Sequence, residues 1–151
     1  MIETENELRT TMRVRDFMTS LIITAEADTP VVESAKLMAA EDIGSLVVTK
    51  SDVLVGMVTR KEIIGAQLLS DESYRSLVLE DIMTTPVITI GPDADLGQAI
   101  GLMNQTGKRY IPVIEGNSII GIVSATDVLR VLATVKQVVE AVPADLNTEE
   151  D

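Results

Sequence analysis

The chain contains one pattern twice. Shifted by 65 positions, residues 14–64 align without a gap on residues 79–129. VRDFMTSLIIT falls on LEDIMTTPVIT, AKLM on IGLM, and VLVGMVTRKEI on SIIGIVSATDV. Eleven aligned pairs are identical: Asp16/Asp81, Met18/Met83, Thr19/Thr84, Ile23/Ile88, Thr24/Thr89, Asp28/Asp93, Leu37/Leu102, Met38/Met103, Val48/Val113, Gly56/Gly121 and Val58/Val123. A repeat of fixed period marks two copies of one supersecondary unit. A unit of roughly 50 residues is marginal alone, because it buries too little of its surface. The pattern therefore predicts two copies packed on each other, with function at what lies between them.

Each copy reads strand, helix, strand, strand, helix, a mixed α/β (α+β) class. LIITA and PVITI are rich in β-branched residues and read as extended. Val31, Ala35 and Met38, and again Leu96, Ile100 and Met103, recur at i, i+4, i+7 and so share one helix face. Thr29 before Pro30 predicts an N-cap followed by a first-turn proline. SLVVT with VLVGMVT, and YIPVI with SIIGIVS, predict hairpins joined by KSD and EGN. RKEIIGAQLL and TDVLRVLATVKQVVEA close the copies as helices. The organisation expected is a lead-in at 1–12, a first domain at 13–70, a linker at 71–78, a second domain with an extended helix at 79–140, and a tail at 141–151. Pro143 ends the last helix in this reading, and ADLNTEED is a disordered acidic tail. The last helix carries Val128, Leu129, Val131, Leu132, Val135, Val138 and Val139. That set is wider than a narrow core stripe; it fits either a second subunit or a broad face in the helix's own core.

Composition removes much chemistry. With no Cys and no His, the chain has no disulfide, thiolate nucleophile, Cys/His zinc site or imidazole base. Aromatics make up 2% against 46% hydrophobic residues, so the core must be aliphatic. A net charge of −12 argues against nucleic acid, whose phosphates need a dense basic face. MIETENELRT is acidic and polar, unlike a secretory signal. No apolar run approaches the ~20 residues that span a bilayer. These features predict a cytoplasmic protein without membrane or nucleic-acid partners. Asp71, Glu72, Glu80 and Asp81 read as solvated charges, so neither a metal site nor a catalytic role is expected.

The ends of the repeats carry the candidate chemistry. Gly56-Met57-Val58-Thr59-Arg60-Lys61-Glu62 and Gly121-Ile122-Val123-Ser124-Ala125-Thr126-Asp127 each run from a strand into a helix. Ser/Thr-x-x-Glu/Asp at that place is a capping box, and Thr59/Glu62 fits it better than Ser124/Asp127 because Glu is the usual partner. The same geometry suits a ligand. A helix N-terminus with free N–H groups receives phosphate, and a carboxylate one turn on accepts from a ribose diol, as in dinucleotide folds. Arg60 and Lys61 in a first turn oppose the helix dipole, and Lys108 and Arg109 stand together before a strand. A bound phosphate would account for both pairs; solvated surface cations are the alternative.

The ordered set RDFMTSLIIT, IGSLVV, GMVTRKEI, then EDIMTTPVIT, KRYIPVI, GIVSATDVLRVL, resembles a tandem pair of CBS (cystathionine beta-synthase) domains, a Bateman module, over residues 13–133. The resemblance implies two β-α-β-β-α repeats packed about a pseudo-twofold axis, with two related clefts. It implies an adenosine-type ligand, AMP, ADP or ATP, or else S-adenosylmethionine or methylthioadenosine, as a regulatory ligand and not a required cofactor. It also implies a homodimer built through the helices, and a separate client protein. The alternative is a ligand-free dimerisation or interaction scaffold. Carried over, the clefts mix the two repeats: one takes Ser124 for phosphate and Asp127 for ribose, with Thr19, Ile23, Gly44 and Ser45 of the other copy around the base. The second takes Thr59, Arg60 and Glu62 with Thr84, Ile88, Lys108, Arg109 and Tyr110. Glu62 stands where the pattern has Asp, and Gly44 and Ser45 offer no cation, so the clefts are expected to differ, with the Asp127 cleft the better one.

Overall fold

The computed structural model describes residues 2–140. In chain order the elements are α1 (Ile2–Thr11), α2 (Val14–Phe17), β1 (Thr24–Glu26), α3 (Val31–Glu41), β2 (Ser45–Lys50), β3 (Val53–Thr59), α4 (Arg60–Gln67), α5 (Asp71–Ser76), α6 (Leu79–Ile82), α7 (Leu96–Thr106), β4 (Tyr110–Glu115), β5 (Ser118–Ser124) and α8 (Ala125–Glu140). The tail and Pro143 lie outside the described residues. Two compact units result. Unit 1 is Met1–Ser20 with Thr89–Asp151, and unit 2 is Leu21–Ile88.

Repeats in sequence and units in space therefore do not coincide. The segment that opens the first repeat, α2 with Met18 and Thr19, belongs to the unit built on the second repeat's strands. Its counterpart, α6 with Met83 and Thr84, belongs to unit 2. The polar lead-in folds as α1, and residues 6–11 of it are the counterparts of α5. α1 packs on α7 and α8, and α5 on α3 and α4. Unit 2 is thus a contiguous chain, and unit 1 is a permuted version assembled from two separated stretches.

In unit 2, β1 pairs parallel with β2, and β2 antiparallel with β3, giving the order β1-β2-β3. Ser51 and Asp52 turn the hairpin with φ of 51° and 66°, as a two-residue turn requires. In unit 1, β4 and β5 pair antiparallel, but PVITI forms no strand and touches β4 through a single parallel bridge, Ile90 to Val113. The reason is Pro112. Its counterpart Val47 donates its N–H to Ile23 at 3.2 Å, and proline has no N–H to donate to Ile88.

The cores are aliphatic. In unit 2, Val31, Met38, Leu46, Val48, Val58, Ile63 and Leu79 cluster; in unit 1, Val14, Leu96, Ala99, Val113, Val123, Val128 and Val131 do. Burying each Val, Leu or Ile stabilises by about 1.5–3 kcal/mol. Val128 and Val131 thus face the core of their own unit, Leu132 packs at its edge, and Leu129 is 63% exposed. The side chains of Val135, Val138 and Val139 lie outside the described residues.

Two helix ends depart from or sharpen the expectations. Pro30 itself is the N-cap of α3, with no side-chain cap, so Thr29 does not cap it. At α7 the Asp95 N–H donates to Gln98 Oε1 and the Gln98 N–H to Asp95 Oδ1, both at 2.8 Å, a reciprocal box.

Candidate functional site

At the start of α8 the reciprocal box is complete. The Ser124 N–H donates to Asp127 Oδ2 at 2.9 Å, and the Asp127 N–H to Ser124 Oγ at 3.0 Å. At the start of α4 it is half made. The Thr59 N–H and hydroxyl both donate to Glu62 Oε1 at 2.9 Å, and no return bond reaches Thr59 Oγ1. This reverses the expected order of the two boxes. The extra methylene of Glu62 lets its carboxylate reach the hydroxyl, which then donates instead of accepting.

Asp127 is 4% exposed and carries more donors. Thr19 Oγ1 lies 3.3 Å from both of its carboxylate oxygens, and Arg130 Nη1 donates to Oδ1 at 3.3 Å. Thr19 reaches it because its N–H and carbonyl exchange bonds with Ile122 at 2.8 and 2.9 Å, two residues before Ser124. Met18 and Thr19 press on β5 at Gly121, where an added Cβ would lie 2.6 Å from Met18 Sδ. In unit 2, Met83 packs on Gly56 and Thr84 exchanges bonds with Met57 at 3.2 and 2.8 Å. There the Thr84 hydroxyl donates to the Met57 carbonyl at 3.3 Å, not to Glu62. The position equivalent to Arg130 is Gly65, so no side chain there can pair with Glu62 as Arg130 does with Asp127.

The expected residues therefore distribute as follows. Thr19, Ser124 and Asp127 come together in unit 1, as expected. Ile23, Gly44 and Ser45, expected opposite Ser124 and Asp127 from the other copy, lie in unit 2, where the Gly44 carbonyl accepts the Arg60 N–H at 3.3 Å. Thr59 and Glu62 are together in unit 2, which also holds Thr84 and Ile88. Lys108, Arg109 and Tyr110, expected opposite Thr59 and Glu62 from the other copy, lie in unit 1. The Arg109 carbonyl accepts the Ala125 N–H at 2.8 Å, and Lys108 and Arg109 are exposed. Arg60 has a partner in Asp42 at 3.6 Å. The α8 N-terminus is less open than expected for phosphate, since the N–H groups of Ser124, Ala125 and Asp127 are all engaged. Arg130 went unnoticed in the sequence, although its i+3 spacing from Asp127 is the signal for such a pair.

Each unit also has an apolar groove between its two long helices. One, of about 550 Å³, is lined by Met38, Asp42, Ile43, Arg60 and Ile64 among others. The other, of about 350 Å³, is lined by Met103, Lys108, Arg109, Val128 and Leu129 among others. Among the described residues no cluster of acidic side chains could hold a metal ion, and no helix is long and apolar enough to cross a membrane.

A model of the CBS domain matches residues 14–69 and 79–134. The chain belongs to the CBS domain family as a tandem pair, a kind of module that generally regulates rather than catalyses. CBS domain-containing protein YhcV of Bacillus subtilis is 30% identical over 114 residues, 76% of this chain and 81% of that protein. The mitochondrial CBS domain-containing protein CBSX3 of Arabidopsis thaliana is 33% identical over 108 residues, 68% of this chain and 52% of that one. The chain spans little more than half the length of some curated relatives, 57% and 52%. Among solved structures, the CBS domain pair of protein MJ0100, in complex with 5′-methylthioadenosine and S-adenosyl-L-methionine, superposes with a TM-score of 0.73 at 26% identity, covering 82% of this chain and 97% of that one.

Proposed function

We propose that this CBS pair is a regulatory module that binds an adenosine-type ligand on the Thr19–Ser124–Asp127 cluster and signals to a separate protein. The observation that carries the reading is the state of Asp127. Its tight bond to the Ser124 N–H fixes the carboxylate, while the Thr19 and Arg130 contacts at 3.3 Å are long for charged hydrogen bonds. A ribose diol, donating two hydroxyls, can replace those long contacts with shorter ones. Thr59 and Glu62 form the second, different site. AMP, ADP and ATP are the nucleotides proposed, with Lys108 and Arg109 supplying charge where the engaged N–H groups cannot.

A second reading is favoured by those same engaged groups. A ligand without phosphate, methylthioadenosine or S-adenosylmethionine, needs no open helix end, and the MJ0100 pair carries both. Assembly as a homodimer is part of the proposal, supported by the two grooves and by Ile64, Leu68 and Leu129, which are 56%, 82% and 63% exposed. Sedimentation of Leu129→Glu against the parent tests it.

The decisive experiment is a thermal-shift panel with AMP, ADP, ATP, S-adenosylmethionine, methylthioadenosine and GTP, on the parent and on Asp127→Asn. Ligand at 100 times its Kd stabilises by about 2.7 kcal/mol. One adenosine compound should raise the parent's Tm, and Asp127→Asn should lose that rise while remaining folded. No rise with any compound at millimolar concentration refutes ligand sensing and leaves the scaffold. An equal rise in Asp127→Asn refutes the ribose assignment alone.

A further inference from the structure

The two segments that precede the repeats dock on their units through the same backbone bonds. The Met12 and Leu77 carbonyls accept the N–H groups of Leu96 and Val31, both at 2.9 Å. Val14 and Leu79 donate to Ala94 and Thr29 at 2.8 and 2.9 Å, and Arg15 and Glu80 to Pro92 and Ala27 at 3.0 and 2.9 Å. Thr19 and Thr84 then exchange bonds with Ile122 and Met57. Every partner in one set is 65 positions from its equivalent in the other. In a chain that carries two such segments and two such receiving surfaces, these bonds cannot distinguish the right pairing from the exchanged one.

Charge can. Arg15 Nη2 lies 3.1 Å from Asp93 Oδ1 and 3.0 Å from Glu115 Oε2. Hydrogen bonds to Glu115, and then to Asp93, raise the pKa of Arg15 above its ordinary value. In the other unit Glu80 stands in place of Arg15 and Lys50 in place of Glu115, with Lys50 Nζ 3.7 Å from Glu80 Oε1. The sign is reversed at both ends of the pair. We propose that this reversal sorts the two segments, directing the Arg15 segment to the surface bearing Glu115 and Asp93 and the Glu80 segment to the surface bearing Lys50. In an exchanged docking Arg15 would meet Lys50, and Glu80 would meet Glu115 and Asp93; only Asp28, the counterpart of Asp93, would still attract Arg15. Exposed ion pairs contribute little singly. Sorting depends on the difference between attraction in one arrangement and repulsion in the other, and like charges in the wrong arrangement supply that difference.

The chain has no native cysteine, so introduced pairs report docking cleanly. T19C/I122C and T84C/M57C report the observed pairing; T19C/M57C and T84C/I122C report the exchanged one. Residues that exchange two backbone bonds have Cα atoms about 5.5 Å apart, within disulfide reach. Under mild oxidation the parent should cross-link only through the first two pairs. In an R15E/E80R background the exchanged cross-links, within or between chains, should rise about fivefold or more. Adding K50E, E115K and D93K should return them to the parent level. Matched cross-links that persist unchanged in R15E/E80R overturn the proposal and leave the size difference between buried Val14 and Leu79 as the sorter. If R15E/E80R does not fold, R15Q/E80Q is read by hydrogen exchange at the Thr19 amide. Faster exchange than the parent supports the proposal, and an unchanged rate overturns it.

Discussion

Gly121→Ala should loosen the contact that holds Thr19 against Asp127. An added Cβ would lie 2.6 Å from Met18 Sδ, 3.1 Å from Met18 Cγ and 2.9 Å from the Thr19 carbonyl oxygen. The thioether can swing away, since Met is flexible. The carbonyl cannot move without loss, because it accepts the Ile122 N–H at 2.9 Å. Overpacking of this kind costs about 1–3 kcal/mol. Opening the Thr19–Ile122 pair instead forfeits two bonds worth about 0.5–1.5 kcal/mol each. Replacing glycine lowers the entropy of the unfolded chain and offsets about 0.4–1 kcal/mol. At mid-range the balance is a loss of about 1.3 kcal/mol, and each kcal/mol lowers Tm by about 2–4 °C for a chain of this size. Urea denaturation measures it. Gly101→Ala, on α7 with nothing within 4 Å of an added Cβ, is the control and should gain about 0.5–1 kcal/mol. Measured against Met18→Ala alone, which carries the lost packing of Met18 on the unit 1 core, Gly121→Ala in that background is free of the sulfur clash, so part of its loss should remain. Gly121→Ala matching the parent, while Gly101→Ala gains, would refute the close-contact reasoning; full recovery in the double variant would refute the part assigned to the carbonyl.

Asp42 closes α3 in the left-handed region at φ 51°, where the second repeat has Gly107 at φ 70°. Asp42→Gly should therefore stabilise, and Gly107→Ala destabilise, each by about 0.5–1 kcal/mol in thermal melts; the Asp42–Arg60 pair at 3.6 Å is exposed and its loss counts for little. Asp127→Ala should cost about 2 kcal/mol and Glu62→Ala about 0.5 kcal/mol in urea titrations, the two ends of the capping range. Only Asp127 completes a reciprocal box and holds Thr19 and Arg130 as well. Equal losses would show that the difference between the two boxes has no energetic weight.

The repeat made the helices, the two hairpins and the family legible, because period and apolar spacing are carried by single residues such as Val31, Met38, Leu96 and Met103. The Ser124–Asp127 box and its meeting with Thr19 were legible too, as motif and as resemblance. Three things were not. α1 is polar along its length, so nothing in its pattern marked it as a helix or as the counterpart of α5. The missing strand at PVITI follows from Pro112, a residue that looks ordinary inside YIPVI until its ladder partner is known. The passage of Met18 and Thr19 from the first repeat into the unit built on the second repeat's strands depends on tertiary placement, which local pattern does not encode.

The permuted build of unit 1 has a consequence for the order in which the chain can fold. The Thr84–Met57 contact of unit 2 spans 27 residues, whereas the Thr19–Asp127 contact of unit 1 spans 108. A fourfold longer loop costs about 1.2 kcal/mol more to close. All of unit 2 has also been synthesised by Ile88, while the first 20 residues must wait for β5 and α8 to emerge. At about 5–20 residues per second that wait lasts several seconds. Unit 2 is accordingly the early folding unit of a nascent chain, and the junction that seats Thr19 beside Asp127 is the last to close.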